Sequence, residues 1–372
     1  MLPAVRSTVA HVEPAVAVVR ALWLASAILP LPVALVPARP TLSDILAWTT
    51  VVAFLVGAAL VTVDRERAGR RITATAWVVF GGFWLSVFPT FAFEMHSIVE
   101  GVGSLVAVPL CLHAAVLTAR ETPVTPELLT LSRAVALMGL LYLPVETVPV
   151  VRETLIEVVA VQSHALMTAV GYEPVVTAGP EYGYRNRFVF PVGDTHYSTY
   201  IVTACTGIGS IAIFGGLVAA VRAPLRRRVA AAAGAVAVIW LLNVLRNAFI
   251  SVAYGHQWFR VDPLVAVTTA LTGESAGYAS FFVADRILGQ GLAMLALVAI
   301  TVGVLHVVPE LVSTMEGALY VATRREVDLG ETLGIDGVRA VADGGRTVDA
   351  DPDSAGSDGE TPADGRSDGG RR

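Results

Sequence analysis

The most reactive side chain on offer is Cys205. It lies in Thr203-Ala204-Cys205-Thr206-Gly207-Ile208-Gly209-Ser210, where a loop enters an apolar helix. The start of such a helix offers unpaired N–H groups and a positive dipole end, which favour an anion. A free thiol ionises near pH ~8.5, and this setting can lower that value. Thr206 and Gly207 allow another backbone to approach the sulfur closely. The bland alternative is a small hydrophobe in an apolar helix. Two arginines argue against it. Arg246 sits in Asn243-Val244-Leu245-Arg246-Asn247, and Arg286 in Val283-Ala284-Asp285-Arg286. An arginine within or bordering a membrane span is costly and marks a functional site by default. A thiol and two permanent cations at one depth could stabilise a thiolate and then the oxyanion of an acyl transfer. Each arginine could instead be a snorkelling anchor or half of a salt bridge, with Asp285 or Asp262 as the partner of Arg286.

Other candidates carry less. Cys111 and His113 fall inside an apolar helix, where core packing or a helix–helix hydrogen bond is the simpler role. His196, His256, Glu94 and His96 lie in or beside outer segments and could act as bases or be plain surface residues. No His/Cys/acid spacing suits a structural zinc site. No phosphate loop ending in GK[ST], no HExxH and no GxSxG is present. The two cysteines are far apart and both in apolar surroundings, so no disulfide framework is expected.

These residues must be held by membrane helices. The 372 residues are 55% hydrophobic and only 15% charged, against about 25% charged in ordinary soluble chains. Mean hydropathy is +0.66. That composition excludes a soluble enzyme, a nucleic-acid binder and a disulfide-stapled secreted domain. A bilayer core of ~30 Å needs about 20 mostly apolar helical residues. Eight stretches qualify, at about 15–36, 45–63, 72–93, 102–118, 134–151, 206–221, 229–254 and 287–308. The first is long enough to remain in the membrane, and no cleavable signal peptide is expected.

Arginine placement orients the bundle. All 26 basic residues are arginine. Arg65, Arg67, Arg70 and Arg71 lie between the second and third spans. Arg222, Arg226, Arg227 and Arg228 lie between the sixth and seventh, and Arg120 and Arg133 flank the link between the fourth and fifth. The positive-inside rule then puts both termini in the cytoplasm, and Cys205, Arg246 and Arg286 near the outer face. Segment 154–170 reads as an amphipathic helix on the outer surface, because a ninth span would turn the arginine cluster at 222–228 outward. Segment 171–200 holds three prolines, four glycines and five tyrosines, and Arg185 and Arg187 alternate with apolar residues. It reads as a folded outer loop with some β character, serving as an aromatic belt or a substrate groove. The outer loop thus covers about 152–205. A membrane domain at 1–308 precedes a cytoplasmic acidic tail at 309–372. That tail holds a short interfacial helix at 311–323 and is disordered from Gly344.

Taken together, the Thr-Ala-Cys-Thr-Gly-Ile run, the Asn-x-x-Arg-Asn run in the next span and a third basic residue opening the last span resemble the exosortase/archaeosortase family. The likeness covers about 10–308. Many members carry histidine at the third position; Arg286 resembles the archaeal branch and leaves the general base open, because arginine does not release its proton. The resemblance implies an all-α polytopic cysteine transpeptidase needing no metal or organic cofactor. Cys205 would be the nucleophile, Arg246 the oxyanion donor, and Arg286 the residue that holds the thiolate or orients the peptide. The implied partners are exported surface-protein precursors, S-layer glycoprotein among them, ending in a Pro-Gly-Phe signal, an apolar helix and a basic tail. The implied acceptor is a membrane phospholipid with an amine headgroup. Two other classes remain open on the residues alone: an anion-binding transporter and a non-catalytic scaffold.

Overall fold

A computed structural model describes residues 40–94, 98–120, 126–193, 195–323 and 328–334. The expected span at 15–36, His96 and the tail from Gly344 lie outside the described residues. The protein is an all-α polytopic membrane protein with one small sheet. Among the described residues six helices are long and apolar enough to cross a membrane: Leu42–Thr62, Glu66–Phe93, Glu100–Arg120, Pro126–Thr147, Leu225–Gly255 and Tyr278–Val307. Of the seven expected spans in the described region, the one at 206–221 is shortened to Ile208–Ala220, 13 residues. At 1.5 Å per residue that is ~20 Å, short of a ~30 Å bilayer core.

The first four spans form one half. Helix α1 is Leu42–Thr62, started by a capping box in which Thr41 and Asp44 satisfy each other's backbone N–H. Helix α2 is Glu66–Pro89, continued by a π turn at Thr90–Glu94. Helices α3 and α4 are Ile98–Arg120 and Pro126–Thr147. Phe54, Trp77, Cys111, Ala114 and Leu128 pack together at their centre, and Trp77 Nε1 donates to Ser132 Oγ at 3.0 Å. Cys111 is therefore a buried core residue.

The expected fifth span, 134–151, divides in two. Pro149 disfavours helical backbone at the residue before it, and Val148 is extended with ψ of 106°. Pro149 then starts helix α5, Pro149–Ala169. Its buried stripe is Ile156, Val159, Ala160, Ser163 and Met167, at near-helical spacing. The stripe faces helix α7, the sheet and the Cys205 turn, so α5 forms a wall of the site as well as a surface. Val158 and Val170 lie off this stripe and are exposed.

Segment 171–200 forms a three-stranded antiparallel sheet of β1 (Val175–Ala178), β2 (Arg185–Val192) and β3 (Thr195–Tyr200) in that order. Alternation sets its faces. Asn186, Phe188 and Phe190 turn inward, while Arg187 donates to Ser198 Oγ at 2.9 Å. Asn186 Nδ2 donates to the Ile201 carbonyl, and Thr199 Oγ1 to Ser251 Oγ at 2.8 Å. The sheet is thereby fastened to α7 just where the chain leaves β3 for the Cys205 turn.

Helix α6 is Ile208–Ala220 and α7 is Leu225–Gly255. Helix α8 is Asp262–Thr272. The last span opens with α9, Tyr278–Phe281, widens into a π stretch at Phe282–Gly289 and continues as α10, Gln290–Val307. Arg286 therefore lies eight residues inside this helix, not at its opening as the expected boundary of 287 had it. Helix α11, Glu310–Thr323, was expected to be interfacial. It buries Leu311 and Val312 against Phe214, Val218 and Leu305, and Glu310 pairs with Arg227. It closes the end of the bundle remote from Cys205. Helix α12 is the short Leu329–Leu333.

Candidate active site

Cys205 sits in a 3-10 turn, Thr203–Thr206, ahead of α6. Three contacts fix the turn locally. The Cys205 N–H donates to the Val202 carbonyl at 2.8 Å. Thr206 Oγ1 donates to the Thr203 carbonyl at 2.6 Å, and the Ile208 N–H reaches Thr206 Oγ1 at 3.4 Å. Gly207 joins turn to helix with φ of 76°, a left-handed backbone that favours glycine. A Cβ there would also press on Asn243 and Ile239 at 3.4 Å. This glycine explains why α6 begins two residues later and runs shorter than the hydropathy suggests.

Helix α7 offers its polar face to the turn. Asn243, Arg246 and Asn247 are at i, i+3 and i+4, hence neighbours on one side. Asn243 Nδ2 and Asn247 Nδ2 both donate to the Cys205 carbonyl, the latter at 2.7 Å. Asn247 is 3% exposed. A carbonyl has two lone pairs, and both are taken.

Arg246 reaches across to the π stretch, where Asp285 Oδ1 accepts from its Nη2. Gly289 makes room for this crossing: a Cβ would come within 3.1 Å of Arg246 Nε and 3.0 Å of the Ala284 carbonyl. A π stretch inside a helix often marks a functional position. Here it places Asp285 between both arginines. Arg286 Nε is 3.6 Å from Asp285 Oδ2, and its side chain is 51% exposed, against 24% for Arg246. The structure thus joins Cys205, Asn243, Asn247, Arg246 and Asp285 in one cluster, with Arg286 at its rim.

The thiol is half-buried among the residues of α5, the sheet and α7. Burial pushes the Cys205 thiol up from its ordinary range, and Asp285 adds to the rise. A backbone hydrogen bond at Val202 and the Arg246 cation oppose it without cancelling it. The helix start and its arginines were expected to lower the thiol; desolvation outweighs them.

The histidines are placed elsewhere. His256 packs on Tyr172 and Phe190, with ring centres 4.9 and 5.6 Å away. His164 meets the Pro174 carbonyl, and His196 is exposed on β3. The sequence reading missed Asp285 as the partner of Arg246, and it treated Asn243 and Asn247 only as flanks. The available signal was the i, i+3, i+4 polar face in an otherwise apolar span.

Beside the cluster, a cavity of about 290 Å³ opens between α6, α7 and α10. Arg246, Asn243 and Ser210 supply its polar atoms; Phe249, Leu292 and Ile300 line its apolar length.

The chain is similar to known proteins over most of its length. The family model described as transmembrane exosortase (Exosortase_EpsH) matches residues 43–284. Archaeosortase A of Haloferax volcanii is 43% identical over 308 residues, covering 79% of this chain and 99% of that protein. Archaeosortase A of Natronomonas pharaonis is 42% identical over 286 residues, covering 75% and 89%. No solved structure matches the chain. The matched residues contain Cys205 and Arg246 along with four of the six apolar spans and most of a fifth, and end one residue before Asp285; the chain belongs to the transmembrane exosortase family.

Proposed function

We propose that this membrane-embedded processing enzyme is a cysteine transpeptidase. It would cleave the C-terminal sorting signal of exported surface proteins, such as S-layer glycoprotein, and join the new C-terminus to the amine of a membrane lipid. The observation carrying this reading is the double amide grip on the Cys205 carbonyl, which ties the thiol's turn to the helix face bearing Arg246. A nucleophile and an oxyanion donor held by one rigid element can meet the same carbonyl. The proposed substrates share the bilayer with the enzyme, so tethering supplies proximity.

In the proposed sequence the Cys205 sulfur attacks the scissile carbonyl and forms a C–S bond. Arg246 donates to the resulting oxyanion. The C–N bond breaks, and the departing amine takes the proton given up by the thiol. The lipid amine then attacks the thioester, forming an amide and returning the proton to the sulfur. Arg286, at the exposed rim, orients the incoming peptide. The site faces outward and both termini are cytoplasmic. The proposed precursors carry a Pro-Gly-Phe type signal and a transmembrane helix.

Trapping tests the reading. A precursor with a tagged N-terminal side, quenched in acid during processing, should yield a hydroxylamine-labile adduct whose peptide maps to Cys205. A processed precursor with no thiol adduct, or an adduct on Cys111, would sink it.

A further inference from the structure

A second cationic site lies at the other end of the bundle. Helix α6 separates it from Cys205 by ~20 Å. There a cavity of about 340 Å³ is lined by Arg133, Arg222 and Arg228 together with Phe54, Leu55 and Ala136. Arg133 is seven residues into α4, ~10 Å along its axis, a position where an arginine normally needs a partner. Arg133 and Arg222 are close enough for their charges to repel.

None of the three has an acidic partner among the described residues. The ion pairs there are Arg227 with Glu310, and Arg246 and Arg286 with Asp285. The contrast with Arg227 is direct: the next residue in sequence, Arg228, turns the other way. Its Nη1 donates to the Ala219 carbonyl at 3.0 Å, which fixes the side chain, while its Nε is buried without a partner. Three guanidinium groups converging on one cavity repel one another unless an anion joins them. A tetrahedral phosphate suits them, because guanidinium presents paired donors to its oxygens. The other walls are apolar, and Leu55 is 38% exposed beside them. A soluble anion would gain nothing from those walls, whereas acyl or isoprenoid chains would. Basic pockets between membrane helices bind anionic headgroups on these terms.

We infer that the cavity of Arg133, Arg222 and Arg228 binds the phosphate headgroup of an anionic membrane lipid, separately from any substrate at Cys205. This goes beyond the proposed reaction and does not depend on it.

The full chain in detergent would be titrated with phosphatidylglycerol and with phosphatidylcholine of equal chain length, and bound lipid counted by native mass spectrometry. The wild type should hold phosphatidylglycerol at least tenfold more tightly. Arg222→Gln, at an exposed position, should weaken that preference about fivefold, the worth of one arginine near a lipid surface. Arg133→Gln/Arg228→Gln should abolish it. Equal retention of the two lipids, or an unchanged preference in the Arg222→Gln protein, would overturn the inference. So would inorganic phosphate raising the unfolding temperature as much as phosphatidylglycerol does, because a free anion would then be the ligand.

Discussion

Asn247 donates from Nδ2 to the backbone carbonyl of Cys205 at 2.7 Å, and the amide is almost wholly buried. The bond links a turn outside the regular helices to the last third of a 31-residue helix. It fixes the position of the backbone that carries the thiol, and leaves the sulfur free. Asn243 shares the task from one helical turn away.

Removing one grip should loosen the turn without abolishing the site. A hydrogen bond of this kind contributes about 1 kcal/mol net. Asn247→Leu should therefore slow precursor processing roughly fivefold while the thiol still reacts with a small alkylating agent. Replacing both asparagines should cost more than the sum of the two single changes, because each covers for the other. Additive single and double effects, measured as processing rate at matched abundance, would show that the amides act independently and do not form a clamp.

Arg246→Lys should lose most activity despite keeping its charge. Guanidinium can bond Asp285 and a substrate oxygen at the same time through its fork, whereas ammonium is a point donor. Losing one oxyanion donor typically costs ~10²–10³-fold in rate. A lysine variant that processed precursor at the wild-type rate would reduce Arg246 to an electrostatic anchor.

The Cys205 thiol is held above its ordinary range first by burial and then by Asp285. A raised thiol is protonated at neutral pH and ionises as pH rises. Alkylation by iodoacetamide should therefore accelerate with pH through and beyond ~8.5, the usual thiol value. Asp285→Asn removes a negative neighbour, so the profile should move to lower pH and alkylation at pH 7 should quicken. Precursor processing should nevertheless fall, because Arg246 loses the acceptor that positions it. An alkylation profile unchanged by the substitution would show that Asp285 has no hold on the thiol.

How much of this was legible in the sequence depends on the range of the interaction. Burial of apolar surface and the 3.6 period act locally, so the helices from α1 to α3 and α7 stand close to where hydropathy places them, whereas α4 starts eight residues before the expected 134. The alternation of Arg185 and Arg187 with the inward-facing Asn186 and Phe188 is visible as β character for the same reason. The break at Val148 could be read from Pro149, but uniform hydropathy across 134–151 masked it. Gly207 was noted for close approach, yet its positive φ, which shortens α6, depends on the packing of Asn243 and Ile239. Cys205, Arg246 and Arg286 stand out in the sequence because charge and thiol chemistry are costly in an apolar span. That Asp285 serves Arg246 first and Arg286 only at 3.6 Å depends on the π stretch, which turns residues through an angle no linear pattern encodes.

The orientation has its own test. Single cysteines introduced into a background lacking the native two would be labelled with an impermeant maleimide. Thr195, at the start of β3, should label on intact cells, and Ala223, beside the arginine cluster, only after permeabilisation. The reverse pattern would place the thiol in the cytoplasm, away from any exported substrate.

The two native thiols make the last comparison. Cys111 is 4% exposed, packed among Trp77, Ala114 and Leu128 at the centre of the first four spans. Cys205 lies in a turn two residues before Gly207, which lines the cavity beside Arg246. A nucleophile must meet a carbonyl and shed its proton, and a thiol sealed in an apolar core does neither. Cys111→Ala should leave processing intact; it trades a sulfur for a small void, and the loss of stability should stay near ~1 kcal/mol. Cys205→Ala should abolish cleavage and lipid attachment together, since in the proposed scheme both pass through one thioester. Cys205→Ser should be nearly as inactive, because a hydroxyl with no strong base beside it keeps its proton. Gel shift of the precursor and incorporation of labelled lipid, read in cells with matched enzyme levels, report the two steps separately. Cleavage retained with attachment lost in Cys205→Ala would break the single-thioester scheme. Loss of both in Cys111→Ala at normal abundance would move the nucleophile into the core and overturn the assignment.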